Sequence, residues 1–176
     1  DVMDGHFVPP ITIGPLVLSG IADRVHDAGG VVDVHLMIAD PERQIPEFAA
    51  AGADSITFHA EATPHANRLL HAIRELGCGA GIAINPATPI GAVSELGGYA
   101  DLVLCMTINP GWGGQQLLDT SFDKLERLAW MMTTPARTVT PSERTASPTA
   151  HAARTARAGP SNAASTPSPA ESISRP

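Results

Sequence analysis

Cysteines and aromatic residues are scarce in this chain of 176 residues, which holds two Cys, two Trp, one Tyr and four Phe. Two cysteines, Cys78 and Cys105, cannot make a disulfide framework, and their spacing fits no metal motif. Both sit among apolar residues and read as buried thiols of a reducing compartment. No run of about 18 apolar residues is present, which excludes an obvious membrane span, and no basic-then-apolar leader is visible. That second absence carries little weight, because the chain opens without methionine in what reads as a strand end.

Positive charge is also short. The net charge is −7, and it is unevenly spread: residues 1–135 hold 16 Asp and Glu against 6 Lys and Arg, whereas residues 136–176 hold 2 against 5. Past residue 135 the composition collapses onto Ala, Ser, Thr, Pro and Arg, with Val139 and Ile173 as the larger aliphatics. Such a stretch buries too little apolar surface to offset the entropy of ordering it, and it is expected to be disordered. Its arginines lack interleaved aromatics and "TPSPAES" lacks the PxxP spacing, so neither a nucleic-acid arm nor a Pro-rich recognition segment is expected. An abrupt switch of this kind in mid-helix is what out-of-frame translation or a mispredicted coding region produces. The division therefore falls between residues 1–132, a structured unit, and 133–176, a low-complexity tail.

What is present in the first unit is rhythm. Short β-rich runs, "VVDVHLMI", "SITFHAE", "GAGIAINP" and "LVLCMTINPG", begin at residues 31, 55, 79 and 102, and recur about every 24 residues. Segments of helical spacing lie between and after them, at 15–29, 40–52, 64–77, weakly at 89–99, and at 117–132. Strand–helix alternation predicts parallel βα units. Asp40-Pro41-Glu42 offers an N-cap, a proline in the first turn and an acid at the positive end of the helix dipole, and Gly52 and Gly77 suit left-handed C-terminal positions. Pro46 conflicts with this pattern and predicts a kink or a shortened helix.

Two architectures use such a repeat, the doubly wound open sheet and the (β/α)8 barrel. Polar and soft residues decide between them. Asp1 and Met3; Asp33, His35 and Met37; Thr57, His59 and Glu61; and Met106 gather toward strand ends at two-residue intervals, and so project from one face. In an open sheet that face would be buried under helices at high cost; in a barrel it lines the mouth, where such folds carry their sites. No GxGxxG follows the opening strand. The barrel is favoured.

His35 shares a strand mouth with Asp1, and an imidazole with a carboxylate converging on one point is a common beginning of a Zn²⁺ or Fe²⁺ site. His59 reads equally well as a hydrogen-bonded core histidine. Met3, Met37 and Met106 could be core filler, yet three at equivalent strand ends suit a soft, polarisable lining. In "NPGWGGQ" (109–115) three glycines within four residues allow close backbone approach and an anion nest just ahead of a helix N-terminus.

The motifs "DVMDGHFVPPITIGP", "DVHLMI", "FHAEAT" and "MTINPGWGGQ", in order and at fitting separations, make residues 1–132 resemble the ribulose-phosphate 3-epimerase family. The resemblance implies a (β/α)8 barrel in the cytoplasm that interconverts D-ribulose 5-phosphate and D-xylulose 5-phosphate by inverting C3. It also implies a divalent metal (Zn, Fe(II), Mn or Co) and a sugar-phosphate partner, with neither nucleic acid nor membrane, and leaves homo-oligomers open for a full-length member. One carboxylate takes the C3 proton from one face and a second acid returns a proton to the other, while a metal stabilises negative charge on the oxygens between these steps. By resemblance Asp1 is an acid/base residue and metal ligand, and His35 is a ligand that also contacts substrate. Met3, Met37 and Met106 pack against the planar intermediate, and Gly111, Trp112, Gly113 and Gly114 hold the phosphate.

The departures are as specific. The family has a histidine two residues before the aspartate that is Asp1 here, a serine on its first strand, an "EVDGG" motif supplying the second acid, and a Gly-Ser pair completing the phosphate site. None of these is in the sequence. The chain therefore reads as strands two to six of a barrel that typically takes about 250 residues, with strand two cut short. Impaired or absent epimerisation is expected, along with exposed sheet edges. A six-carbon 3-epimerase acting on allulose 6-phosphate and a non-catalytic fragment are the alternatives.

Overall fold

The structure is a computed structural model and describes residues 1–133; the expected disordered tail lies outside the described residues. Five strands alternate with four α-helices in chain order. These are β1 (Val2–Met3), α1 (Pro15–Asp27), β2 (Asp33–Met37), α2 (Pro41–Ala50), β3 (Ser55–His59), α3 (Ala66–Glu75), β4 (Gly79–Ile84), β5 (Leu102–Cys105) and α4 (Thr120–Thr133). Two 3₁₀ segments, Ala60–Ala62 and Ile90–Leu96, follow β3 and β4. The second replaces the weak helix expected at 89–99, where Pro89, Gly91, Gly97 and Gly98 deny an α-helix its propensity.

All strand pairs are parallel, and the spatial order is β1-β2-β3-β4-β5. A doubly wound sheet reverses its order at a switch point; an unbroken sequential order is that of a barrel wall. The chain is thus an α/β protein forming part of a barrel. Register keeps the pleat consistent, with Val34 opposite Ile56, Phe58 opposite Ile82 and Ile82 opposite Val103 on one face. On the other, Met3 is opposite Met37, His35 opposite Thr57 and His59 opposite Ala83.

The helices cover the first face only. Val34, Leu36, Ile56, Phe58, Ala80, Ile82 and Ile84 meet Leu18, Ile45, Phe48, Leu69, Leu70 and Ile73 in one apolar cluster. Each Leu, Ile or Phe fully buried there contributes roughly 1.5–3 kcal/mol. Exposed large apolar residues gather instead on the flanking helices, with Leu16, Val17 and Ile21 on α1 and Phe122, Leu125 and Trp130 on α4. On the second face a close approach matters: a Cβ on Gly81 would lie 2.1 Å from Thr57 Oγ1 and 3.2 Å from Thr57 Cα, so β3 and β4 fit together there only around glycine.

Two helix C-termini follow their local chemistry, and the N-terminus of α2 does not. Gly52 and Gly77 take positive φ, at 106° and 82°, beyond the ends of α2 and α3, as expected. Asp40 occupies the N-cap position of α2, but its side chain makes no capping bond and lies 3.9 Å from Arg43 instead. Glu42, expected to serve the helix dipole, accepts from Thr63 Oγ1 and Arg68, both at 2.9 Å. Pro46 does not shorten α2, which runs on to Ala50. It sits on the exposed side, where water can take the Glu42 carbonyl that has lost its N–H partner.

α4 is held to the sheet by a buried cation. Lys124, the single lysine of the sequence, is 9% exposed and donates from Nζ to the carbonyls of Asn85 at 2.6 Å and Pro86 at 3.1 Å, just past β4. Both cysteines are buried, as expected, and the Cys78 thiol donates to the Ala53 carbonyl at 3.1 Å.

Candidate functional site

The inner sheet face ends in a line of four side chains whose polar atoms approach one another to 3.3 Å or less. Asp1 Oδ1 is 3.3 Å from His35 Nδ1, His35 Nε2 is 2.9 Å from His59 Nε2, and His59 Nδ1 is 3.3 Å from Glu61 Oε2. Parallel pairing explains the convergence. β1, β2 and β3 lie side by side, and residues at two-residue intervals share a face, so three neighbouring strand ends deliver their polar groups to one point. The His35 and His59 ring centroids are 5.0 Å apart at an interplanar angle of 24°. With their Nε2 atoms 2.9 Å apart, the rings meet edge to edge in the geometry of an N–H···N bond rather than face to face.

Exposure grades along the line. Asp1 is 66% exposed, His35 13%, His59 0% and Glu61 24% by side chain. Burial, reinforced by the adjacent His59 ring, pulls His35 down to about 4, so the imidazole is neutral near pH 7. Burial alone would raise Glu61. Hydrogen bonds from His59, Thr88 and the Asn85 amide outweigh it and hold this carboxyl at about 2. One oxygen of Glu61 takes the Asn85 N–H at 2.7 Å and the Thr88 hydroxyl. The residue ties the ends of β3 and β4 together.

The loop after β1 closes over this line. Asp4 accepts the amides of His6 at 2.8 Å and Phe7 at 2.9 Å on Oδ1, and that of Ala39 at 2.8 Å on Oδ2, joining the turns after β1 and β2. Burial works against its ionised form, but these amides prevail and lower its pKa. The turn sets the Phe7 ring against His59, centroid to centroid 4.8 Å.

The glycine loop lies at the other end of the wall. Gly111 and Gly114 take positive φ, at 112° and 73°, and Gln115 Nε2 closes the loop onto the carbonyls of Asn109 at 2.6 Å and Trp112 at 2.8 Å. A Cβ on Gly111 would stand 3.1 Å from that of Val8, so this loop abuts the one following β1. Trp112, Gly113 and Gly114 are exposed. The expected helix N-terminus is not immediately behind them, because α4 begins only at Thr120; residues 115–119 intervene, with the Leu118 amide bonded to the Thr107 carbonyl at 3.0 Å.

Met3 and Met37 are register partners on the inner face, and Met37 is 2% exposed. Met106 follows β5, bonded through its amide to the Ile84 carbonyl at 3.0 Å. Asp33 is a correction: it opens β2 and so lies at the opposite strand end, accepting from Ser55 Oγ, not in the mouth. Sequence reasoning assigned no role to Glu61 and left His59 undecided. Their "HxE" spacing, continuing the face of Thr57, was the available signal.

A fit to a divalent cation can be tested on the donor set. Two ligands at about 2.1 Å from one ion lie about 3.0–3.4 Å apart at octahedral to tetrahedral angles, and the Asp1–His35 separation of 3.3 Å matches. Among the described residues no third His, Cys, Asp or Glu joins the pair. The donor set suits a cation as one side of its coordination shell.

A sequential parallel wall, with a carboxylate–imidazole pair at one end of its mouth and a glycine loop at the other, defines an α/β protein of the barrel type. The chain belongs to the ribulose-phosphate 3-epimerase family, whose model matches residues 1–140. It is 48% identical over 131 residues to the ribulose-phosphate 3-epimerase of Bacillus subtilis, covering 74% of this chain and 59% of that protein. The same-named proteins of Escherichia coli K12 and Treponema pallidum are 46% and 48% identical over 128 and 133 residues; these cover 73% and 76% of this chain and 56% and 60% of those proteins. The chain thus spans somewhat over half the length of these curated relatives. The family is one of isomerases. No helix among the described residues is long and apolar enough to cross a membrane.

Proposed function

We propose that this chain carries the proton-transfer half of a ketose-phosphate 3-epimerase site, with D-ribulose 5-phosphate as substrate in the cytoplasm. The observation that carries the reading is the convergence of Asp1 Oδ1 and His35 Nδ1 at 3.3 Å on an inward-facing strand mouth. Asp1, the exposed member, takes the C3 proton onto its carboxylate and can return one to the same face. His35 orients the substrate oxygens. Met3, Met37 and Met106 exclude water from the planar intermediate, and the amides of Gly111, Trp112, Gly113 and Gly114 receive the phosphate. Asp1 and His35 would hold a divalent cation (Zn, Fe(II), Mn or Co), whose contribution when bound is to polarise the ketone.

Inversion needs a second acid on the opposite face, and the sequence carries no "EVDGG" motif to supply it. The expected activity is therefore exchange without epimerisation. The test is incubation of the full chain with D-ribulose 5-phosphate and Mn²⁺ in D₂O. Deuterium at C3 without D-xylulose 5-phosphate, abolished by Asp1→Asn, is the expected result. Absence of exchange with ribulose 5-phosphate but exchange with allulose 6-phosphate would move the substrate to six carbons. Absence of both would leave a non-catalytic member of the family.

A further inference from the structure

We propose that Glu61 is a positioning residue that, acting through His59, dictates which ring nitrogen of His35 is bare beside Asp1. The inference rests on the cation-binding reading of Asp1 and His35 and deepens it. Hydrogen-bond counting carries it. Glu61 Oε1 is occupied by two donors, the Asn85 amide and the Thr88 hydroxyl, which leaves Oε2 for His59 Nδ1. A carboxylate only accepts, so the His59 proton resides on Nδ1. His59 is 0% exposed, and its Nε2, the nitrogen away from that proton, offers a lone pair. Facing it at 2.9 Å is His35 Nε2, which must carry the proton of that bond. His35 Nδ1 is left bare and points at Asp1 Oδ1. Two lone-pair donors 3.3 Å apart repel one another unless a cation lies between them, and the outer carboxylate thereby creates the demand that the inner pair presents.

Glu61→Gln reverses every choice in the line. The amide oxygen must take over the Asn85 N–H, so its NH₂ group faces His59 Nδ1 and requires an acceptor there. His59 then protonates on Nε2, His35 accepts on Nε2, and the His35 proton moves to Nδ1, into the gap beside Asp1. Shape and packing barely change.

The readout is the tautomer itself. In the metal-free full chain labelled with ¹⁵N-histidine, long-range ¹H–¹⁵N correlation near neutral pH separates bare from protonated ring nitrogens. Nδ1–H on His59 and Nε2–H on His35 are expected in the wild type, with both inverted in Glu61→Gln. Zn²⁺ affinity, read by competition with a chromophoric chelator, is expected to fall about 10–100-fold in that variant. His59→Phe keeps a ring against Phe7 but severs the relay. A similar loss is expected there, with no further loss in the double variant. An unaltered His35 tautomer in Glu61→Gln, or additive losses in the double variant, overturns the proposal. Should Glu61→Gln fail to fold, the wild-type spectrum alone decides, because Nε2–H on His59 contradicts the relay. If the tautomers switch while neither protein binds Zn²⁺, the relay stands and the cation reading of Asp1 and His35 fails.

Discussion

The two faces of the one sheet differ in what they are for. On the helix side Leu36, Ile56, Phe58, Ala80, Ile82 and Ile84 are each 0% exposed and packed against apolar side chains. On the inner side the same strands present His35, Thr57 and His59 beside Gly79, Gly81 and Ala83. A parallel strand alternates between these worlds at every residue, so stability and chemistry are written in neighbouring positions yet act separately. Substitutions on one face are expected to disturb folding, and those on the other to disturb the site while the fold persists.

The sharpest break of that separation is Phe58→Ala. Loss of a fully buried ring is expected to cost about 3–5 kcal/mol, read as a lowered midpoint in urea, and site function should vanish only as the fold does. Next comes Gly81→Ala, an inner-face change with an outer-face effect. Its Cβ has no room against Thr57, and about 1–3 kcal/mol of destabilisation is expected. Gly79→Ala, whose Cβ would rest 3.4 Å from that of Ser55, is the tolerant control. A stability loss in Gly79→Ala equal to that in Gly81→Ala would show that helix-side packing, not the inner approach, governs this strand.

A third test uses pH. Glu61 is held at about 2 in the fold against its ordinary 4.5, so its ionised form is favoured by folding. That contribution is fully present above pH 4.5 and is lost as pH falls toward 2. Unfolding free energy measured across this window is expected to decline in the wild type, with a shallower decline in Glu61→Gln. Equal slopes would remove the carboxylate from the account. The smallest effect on stability belongs to Asp1→Asn. Asp1 is two-thirds exposed, and a change within about 0.5 kcal/mol is expected, although the same substitution is expected to abolish isotope exchange.

Much of this arrangement was legible in the sequence. Strand starts at 55, 79 and 102 match the structure, because β-branched runs and intervening helical spacing are local signals that burial reinforces. Asp1 and His35 were brought together by the same alternation. Less legible were features that depend on remote partners. Asp40 makes no capping bond and its carboxylate lies toward Arg43 instead, and the tolerance of α2 for Pro46 depends on which side of the helix meets water. The Glu61 relay needs an amide from Asn85, just past the end of the next strand, to fill one carboxylate oxygen, and no spacing within "HAE" reveals that. The contact of Gly111 with Val8 spans the whole wall and has no local signature.

Lys124 offers a consequence of another kind. Since the sequence has one lysine and its amine is sealed beneath the carbonyls of Asn85 and Pro86, an acylating reagent can reach that side chain only when α4 lifts from the end of β4. The rate of its modification, read by mass after digestion, is a stopwatch on the opening of one helix, uncluttered by any other lysine, and it reports that motion from a single atom.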